Sequence, residues 1–261
     1  MTLADIDFAR LYREHMAATG RTPMGADDWD ARAARSGKRL TRGGYADAFI
    51  ARMNLDGCDS LLDVGCGNGA LCLPLAARLR RIVALDYSPA MLEALRADAQ
   101  ALGADNIDAR LCAWEDDWSA IPACDVVIAS RSMHVADMAD ALAKLHAKAR
   151  RRVYLTHRAG GHGVPADVLH VLERQSPPPP DHIYALNLLH GMGIQPRVDY
   201  LDGGGSALIA GFDDLLQRTV RALGPLDAGE QARLRQWHAR QPPLRTLPRR
   251  WAFISWETAR D

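Results

Sequence analysis

Four groups of residues have the types and spacing for chemistry. The first lies between Leu61 and Leu71, where an apolar run ends in Asp63 and passes into a turn containing Gly65, Cys66, Gly67, Asn68 and Gly69. Glycines at that spacing let a backbone turn tightly and come close to a ligand. The second is Asp86, which closes the short apolar run Arg81 to Asp86, 21 residues beyond Gly65. At that separation a strand-end carboxylate can accept hydrogen bonds from ribose hydroxyls. The third is Ser130, Arg131, Ser132, Met133 and His134. Its histidine can serve as a general base near neutral pH, or be structural, and its arginine can orient a carboxylate or phosphate. The fourth is the loop containing His157, Arg158 and His162. No carboxylate or cysteine completes a ligand spacing with its histidines, so no metal is expected.

The glycines alone do not choose a ligand, because Gly65, Gly67 and Ala70 also satisfy a dinucleotide-binding fingerprint. Asp63 discriminates. Two residues before the first glycine, a carboxylate would repel a pyrophosphate and attract the ammonium of a bound amino acid. S-adenosylmethionine carries that ammonium and no phosphate. The stretch resembles the first motif of the class I S-adenosylmethionine-dependent methyltransferases nearly residue for residue, and Asp86 stands where that family has its second motif. The resemblance runs from about residue 57 to residue 157 and returns weakly in the final strand pair.

It implies S-adenosylmethionine as cofactor. Asp63 and the backbone of Gly65, Cys66, Gly67, Asn68 and Gly69 would hold the methionine end, and Asp86 the ribose. Tyr87, Met91, Trp114 and Glu115 would hold the adenine end, with Met91 equally suited to the core. Many family members place an acid just after the third strand; here Ala113 or Trp114 fills that position, and Glu115 or Asp116 could take the role. The opposing reading is an acidic solvent-facing turn with Trp114 and Trp118 in the core. Ser130, Arg131 and His134 would fall beside the reactive centre, because open α/β sheets bind ligands at the carboxyl ends of their strands. Nucleic-acid amino methyltransferases carry an Asn/Asp-Pro-Pro-aromatic motif where this chain has Ser130 to Met133, which argues against amino-group transfer on bases.

The elements that must position these residues are legible in the periodicity. Apolar runs predict strands at about Leu61, at Arg81 to Asp86, Asn106 to Leu111, Cys124 to Ser130, Val153 to Thr156, Gln195 to Leu201 and Trp251 to Trp256. Helical patterns cover Leu71 to Leu79, the stretch opened by Ser88 and Pro89, Asp137 to Ala149, Val164 to Gln175, Asp181 to Met192, Phe212 to Leu223 and Ala228 to Arg240. The run Arg150 to Arg152 reads as the solvated end of a helix. The expected fold is a Rossmann-like, doubly wound, mostly parallel seven-stranded sheet with an antiparallel last strand. Residues 1–55 form a helical N-terminal leader, and residues 56–261 the catalytic domain with helical insertions at about 160–193 and 202–248. Both leader and insertions would cover the substrate side of the cleft. In the leader, Trp29 and Tyr45 could line it, and Arg35, Lys38, Arg39 and Arg42 could receive an acidic substrate.

Composition sets the outer limits. The 261 residues carry 32 basic and 32 acidic side chains, so no global field points to nucleic acid or an anionic membrane. Five cysteines without a Cys-x-x-Cys pair read as reduced thiols, and there is no membrane-length apolar run and no signal-peptide order at the N-terminus. A cytoplasmic enzyme with a small-molecule methyl acceptor is expected. The alternatives are methyl transfer to RNA or protein, and a noncatalytic protein that binds S-adenosylmethionine. Oligomeric state is open.

Overall fold

A computed structural model describes residues 2–19, 25–27, 30, 44–161, 164–175, 177–203, 207–246 and 249–258. Trp29, Arg35, Lys38, Arg39, Arg42 and His162 lie outside the described residues. The sheet is built from β1 (Ser60–Val64), β2 (Arg81–Asp86), β3 (Ile107–Leu111), β4 (Cys124–Ser130), β5 (Ala149–Arg158), β6 (Arg197–Asp202) and β7 (Arg250–Glu257). Its seven strands lie in the order β3-β2-β1-β4-β5-β7-β6. All are parallel except β7, which runs antiparallel between β5 and β6.

Strands β1, β2 and β4 are near-continuous apolar runs because both of their faces are covered. On one face, α1 (Phe8–Ala18), α5 (Met138–Lys148) and α7 (His182–Gly191) pack over Leu62, Val83, Val127 and Leu155. On the other, α2 (Gly44–Ile50), α3 (Cys72–Leu75) and α4 (Pro89–Leu102) pack over Leu61, Ile82, Ile128 and Phe253. Local chemistry fixes the helix starts. Ser88 Oγ accepts from the Met91 amide at 3.1 Å with Pro89 in the first turn, while Asp137 and Asp181 cap α5 and α7.

Two local expectations need correction. The helix expected from Leu71 to Leu79 is only the short α3, continued by a 3₁₀ turn over Ala76–Arg78. Pro74 falls inside α3, where it supplies no amide donor. Arg150, Arg151 and Arg152 belong to β5 rather than to the end of α5. The bulge between Cys124 and Val126 accommodates the start of that strand, and Arg150 and Arg152 reach Asp125 and Glu257.

A third, smaller core joins α6 (Ala166–Val171), α8 (Phe212–Leu223) and α9 (Ala228–His238) around Val168, Leu172, Leu215 and Leu234. Its parts come from two places in the chain. One follows the end of β5, and the other leaves β6 after Asp202 and returns at Arg250, its register partner in β7. Both therefore emerge from the carboxyl edge of the parallel strands.

Candidate cofactor and acceptor site

Asp63 sits at the end of β1 and is 2% exposed. It accepts hydrogen bonds from the amide and the thiol of Cys72. Its Oδ2, also buried, has no hydrogen-bond partner among the described residues. Burial pushes the carboxyl up to about 7, helped by nearby Asp86 and opposed by the Cys72 donors. A buried carboxylate with one oxygen unspent is poised for a cation.

The turn that follows explains its glycines individually. Gly65 has φ +69°, and a Cβ there would lie 2.3 Å from Ser132 Cβ; one on Gly69, with φ +87°, would lie 2.5 Å from Leu95 Cδ1. These two are required by packing. Among the described residues, Gly67, with φ +54°, has only Met91 Sδ within reach of such an atom, at 4.0 Å, so this is the open side of the turn. Gly65→Ala should therefore cost about 3 kcal/mol, from left-handed backbone plus the clash. Thermal unfolding of G65A and G65A/S132G tests this: the second change should recover the clash and leave the backbone penalty. Equal stability of G65A and the parent would refute it.

Asp86 closes β2 directly opposite the turn. Its Oδ2 accepts from the Gly67 amide at 2.8 Å and its Oδ1 from the Ser88 amide at 2.9 Å, while burial raises its pKa. Asp30 of the leader reaches the same corner, where its Oδ1 accepts from Ser88 Oγ and the Ala90 amide. Half-buried Tyr87 donates its amide to Asp86, and half-buried Asn68 lies in the turn itself. Cys66 is buried, and its thiol is held protonated by burial. Trp114 Nε1 donates to the Ser132 carbonyl at 3.1 Å and its ring stacks on Trp118. Glu115 is exposed beside it, whereas the carboxylate of Asp116 accepts from the Ala113 amide at 2.7 Å.

At the end of β4 the hydroxyl of Tyr45 joins two strands, bonding Ser130 Oγ at 2.9 Å and Thr156 Oγ1 at 2.7 Å. Arg131 adopts φ +57° and donates its amide to Thr156 Oγ1 at 3.1 Å; its guanidinium lies 4.4 Å over the Tyr45 ring. Ser132 Oγ donates to the Val64 carbonyl at 2.7 Å, tying this loop to the glycine turn. Exposed His134 is close enough to buried His157 to disfavour its protonation. Burial is the larger influence on His157 and pushes it down to about 4, so it is neutral at physiological pH. His182 Nε2 bonds Tyr200 Oη at 3.1 Å, across the same sheet face.

The structure thus brings Asp63, the glycine turn, Asp86, Met91, Ser130 and Arg131 to one edge. The unspent Asp63 oxygen fits an ammonium, and the open side of Gly67 allows close backbone approach, so the donor set suits S-adenosylmethionine. Residues 61–152 match the family model for a methyltransferase domain. Along its whole length, the chain is 33% identical to an uncharacterized protein of Haemophilus influenzae, with 100% of each covered. This chain belongs to the class I S-adenosylmethionine-dependent methyltransferases. Solved structures share its fold. The YcgJ protein of Bacillus subtilis overlays with a TM-score of 0.54 at 16% identity, covering 84% of this chain and 99% of that one. A geranyl diphosphate methyltransferase in complex with S-adenosylmethionine gives 0.50 at 18% identity, covering 93% and 94%.

S-adenosylmethionine is the methyl donor of this methyltransferase. Several polar residues of its site carry no local sequence motif. Thr156 is visible in retrospect as a hydroxyl at a strand's carboxyl end. Cys72, Asp30 and Ser132 come to the corner through contacts with no sequence signature. Tyr200 aligns with His157 only through the register of β5, β7 and β6, and His182, on α7, joins them through its bond to Tyr200. Among the described residues, no group of three or more His, Cys, Asp or Glu is arranged to hold a metal, and no helix is long and apolar enough to cross a membrane.

Proposed function

We propose that this methyltransferase acts on a small-molecule acceptor in the cytoplasm. The observation that carries the reading is the crowding of the carboxyl edge. Helix α2 sets Tyr45 onto the ends of β4 and β5, and the helical lobe of α6, α8 and α9 emerges from that edge at β5, β6 and β7. Such covering elements suit an acceptor that is enclosed away from water better than an extended polymer. The even charge balance likewise provides no global attraction for a nucleic-acid backbone.

When bound, the cofactor supplies a methyl group already activated on a sulfonium, so the protein's task is alignment and exclusion of water. Asp63 Oδ2 would take the ammonium, and the amides of the glycine turn would approach the methionine end. Asp86 would exchange its amide contacts for ribose hydroxyls. Tyr87 and Met91 would flank the adenine, with Trp114 forming the wall behind and Glu115 at the rim. His134 would accept a proton from an acceptor that reaches the site un-ionised.

Isothermal calorimetry with S-adenosylmethionine and S-adenosylhomocysteine, followed by an acceptor panel read by S-adenosylhomocysteine release, tests the reading. The expected result is binding of both and turnover of at least one small molecule. Turnover confined to RNA or protein would overturn the acceptor class. Binding without turnover on any acceptor would favour a sensor or assembly role.

A further inference from the structure

Arg131 is the residue whose conformation the fold leaves least explained. A non-glycine residue in the left-handed region costs on the order of 1 kcal/mol and persists where its surroundings fix it. Here the surroundings are specific. The Thr156 hydroxyl takes the Arg131 amide, and the Tyr45 hydroxyl bonds both Ser130 and Thr156, so the ring under the guanidinium is itself locked. A guanidinium stacked on an aromatic face keeps its in-plane N–H donors directed outward, in a fork that matches a carboxylate or phosphate. Among the described residues, no carboxylate forms an ion pair with Arg131, and its side chain is exposed. The strained backbone, the locked ring and a fork that makes no hydrogen bond among the described residues together describe a prepared anion receptor.

Its place in the fold indicates which anion. The next residue, Ser132, abuts Gly65 of the cofactor turn. The guanidinium, however, lies over Tyr45 on the β5 side of β4, whereas Asp63, the glycines and Asp86 belong to β1 and β2. Trp251 meets the edge of the Tyr45 ring at 6.3 Å, extending the aromatic floor toward β7. We propose that Arg131, held over the Tyr45 ring, is an anion subsite on the acceptor side of the site, and that the acceptor carries a carboxylate or phosphate. This rests on the small-molecule reading of the site. It narrows that reading to anionic acceptors whose body can lie against the Tyr45 and Trp251 rings.

The test uses the full chain saturated with S-adenosylhomocysteine, the parent beside Arg131→Met and Arg131→Lys. The probes are small carboxylates and phosphomonoesters, each paired with its neutral amide or alcohol, and binding is read by saturation-transfer NMR. At least one anion should bind the parent in preference to its neutral partner. R131M should weaken it by about tenfold or more, and R131K should recover part of the loss. S-adenosylhomocysteine affinity, measured by calorimetry, should be the same in all three proteins. The proposal is overturned if no anion binds through Arg131, if neutral partners bind equally well, or if R131M instead weakens S-adenosylhomocysteine, which would make the guanidinium a cofactor contact. A neutral small molecule methylated equally by parent and R131M would overturn the anion subsite and leave the small-molecule reading standing. Arg131-dependent anion binding with turnover only on a macromolecule would keep the subsite and overturn that reading.

Discussion

Asp63→Asn is expected to weaken S-adenosylhomocysteine binding by about 100-fold or more while leaving the unliganded fold at least as stable at pH 7. The two effects have one cause. Asp63 is fully enclosed and holds an unspent oxygen, so its charge is unfavourable until a cation arrives. An amide keeps an acceptor for the Cys72 donors but turns an N–H₂ toward the ammonium. The pH dependence follows with a definite sign. The folded-state pKa of about 7 lies above the ordinary 3.8, so between those values the folded protein keeps a proton that the unfolded chain releases. Stability from this group is therefore fully present below about pH 4 and is lost as pH rises through about 7. That slope should vanish in D63N. A bound ammonium pulls the carboxyl back down, so ligand binding should release a proton near neutral pH and tighten as pH rises to about 7. Calorimetry in two buffers of different ionisation enthalpy detects the proton, and melting curves at pH 5 and pH 7.5 detect the slope. Unchanged affinity in D63N would remove Asp63 from the cofactor site.

The parts of this site legible in sequence are those whose chemistry is local. Asp63, the three glycines and Asp86 lie on contiguous strand-turn segments, so their spacing alone places them on neighbouring strand ends. The motif order likewise fits the sheet, because parallel strands covered on both faces must be apolar runs. Local reading fails where a strong composition hides a weaker pattern. Arg150 to Arg152 look like a solvated helix end, yet the first residues of β5 tolerate arginines because these reach the acids of the flanking strands β4 and β7. It also fails where the partner is distant. Tyr45 meets Ser130 and Thr156 from 85 and 111 residues away, and no periodicity predicts that its hydroxyl will bridge them. Helices α6 and α7 are close in sequence but part in packing. Val168 and Leu172 turn to the small core with α8 and α9, while Ala185 and Leu189 turn to the main sheet.

That small core provides a way to separate cofactor binding from turnover. Arg174 is its staple: two of its nitrogens donate to the two carboxylate oxygens of Glu230, and Nη1 and Nη2 donate to the carbonyls of Leu223 and Pro225, each at 2.7 Å. Glu230, 6% exposed, also accepts from the Asp227 amide in a capping box that starts α9. Glu230→Ala removes the reciprocal half of the capping box, leaving the Asp227 cap itself in place, and leaves a half-buried guanidinium without its counter-charge, at a cost of about 3 kcal/mol. The damage should stay local, because the core it holds is small and separate from the two that sandwich the sheet. Hydrogen exchange should show amides of α6, α8 and α9 opening about 100-fold more readily, with those of β1, β2 and β4 unchanged. S-adenosylhomocysteine should bind E230A as it binds the parent, since among the described residues the staple's hydrogen bonds all stay within the lobe. Turnover should fall by about tenfold or more, because a lobe that opens no longer encloses the acceptor or excludes water. Full turnover with the lobe amides exposed would show that these helices do not cover the acceptor. Faster exchange throughout β1 to β5 would show that they are not an independent unit. Loss of turnover with the cofactor still held would tie the third core to the acceptor side of the reaction.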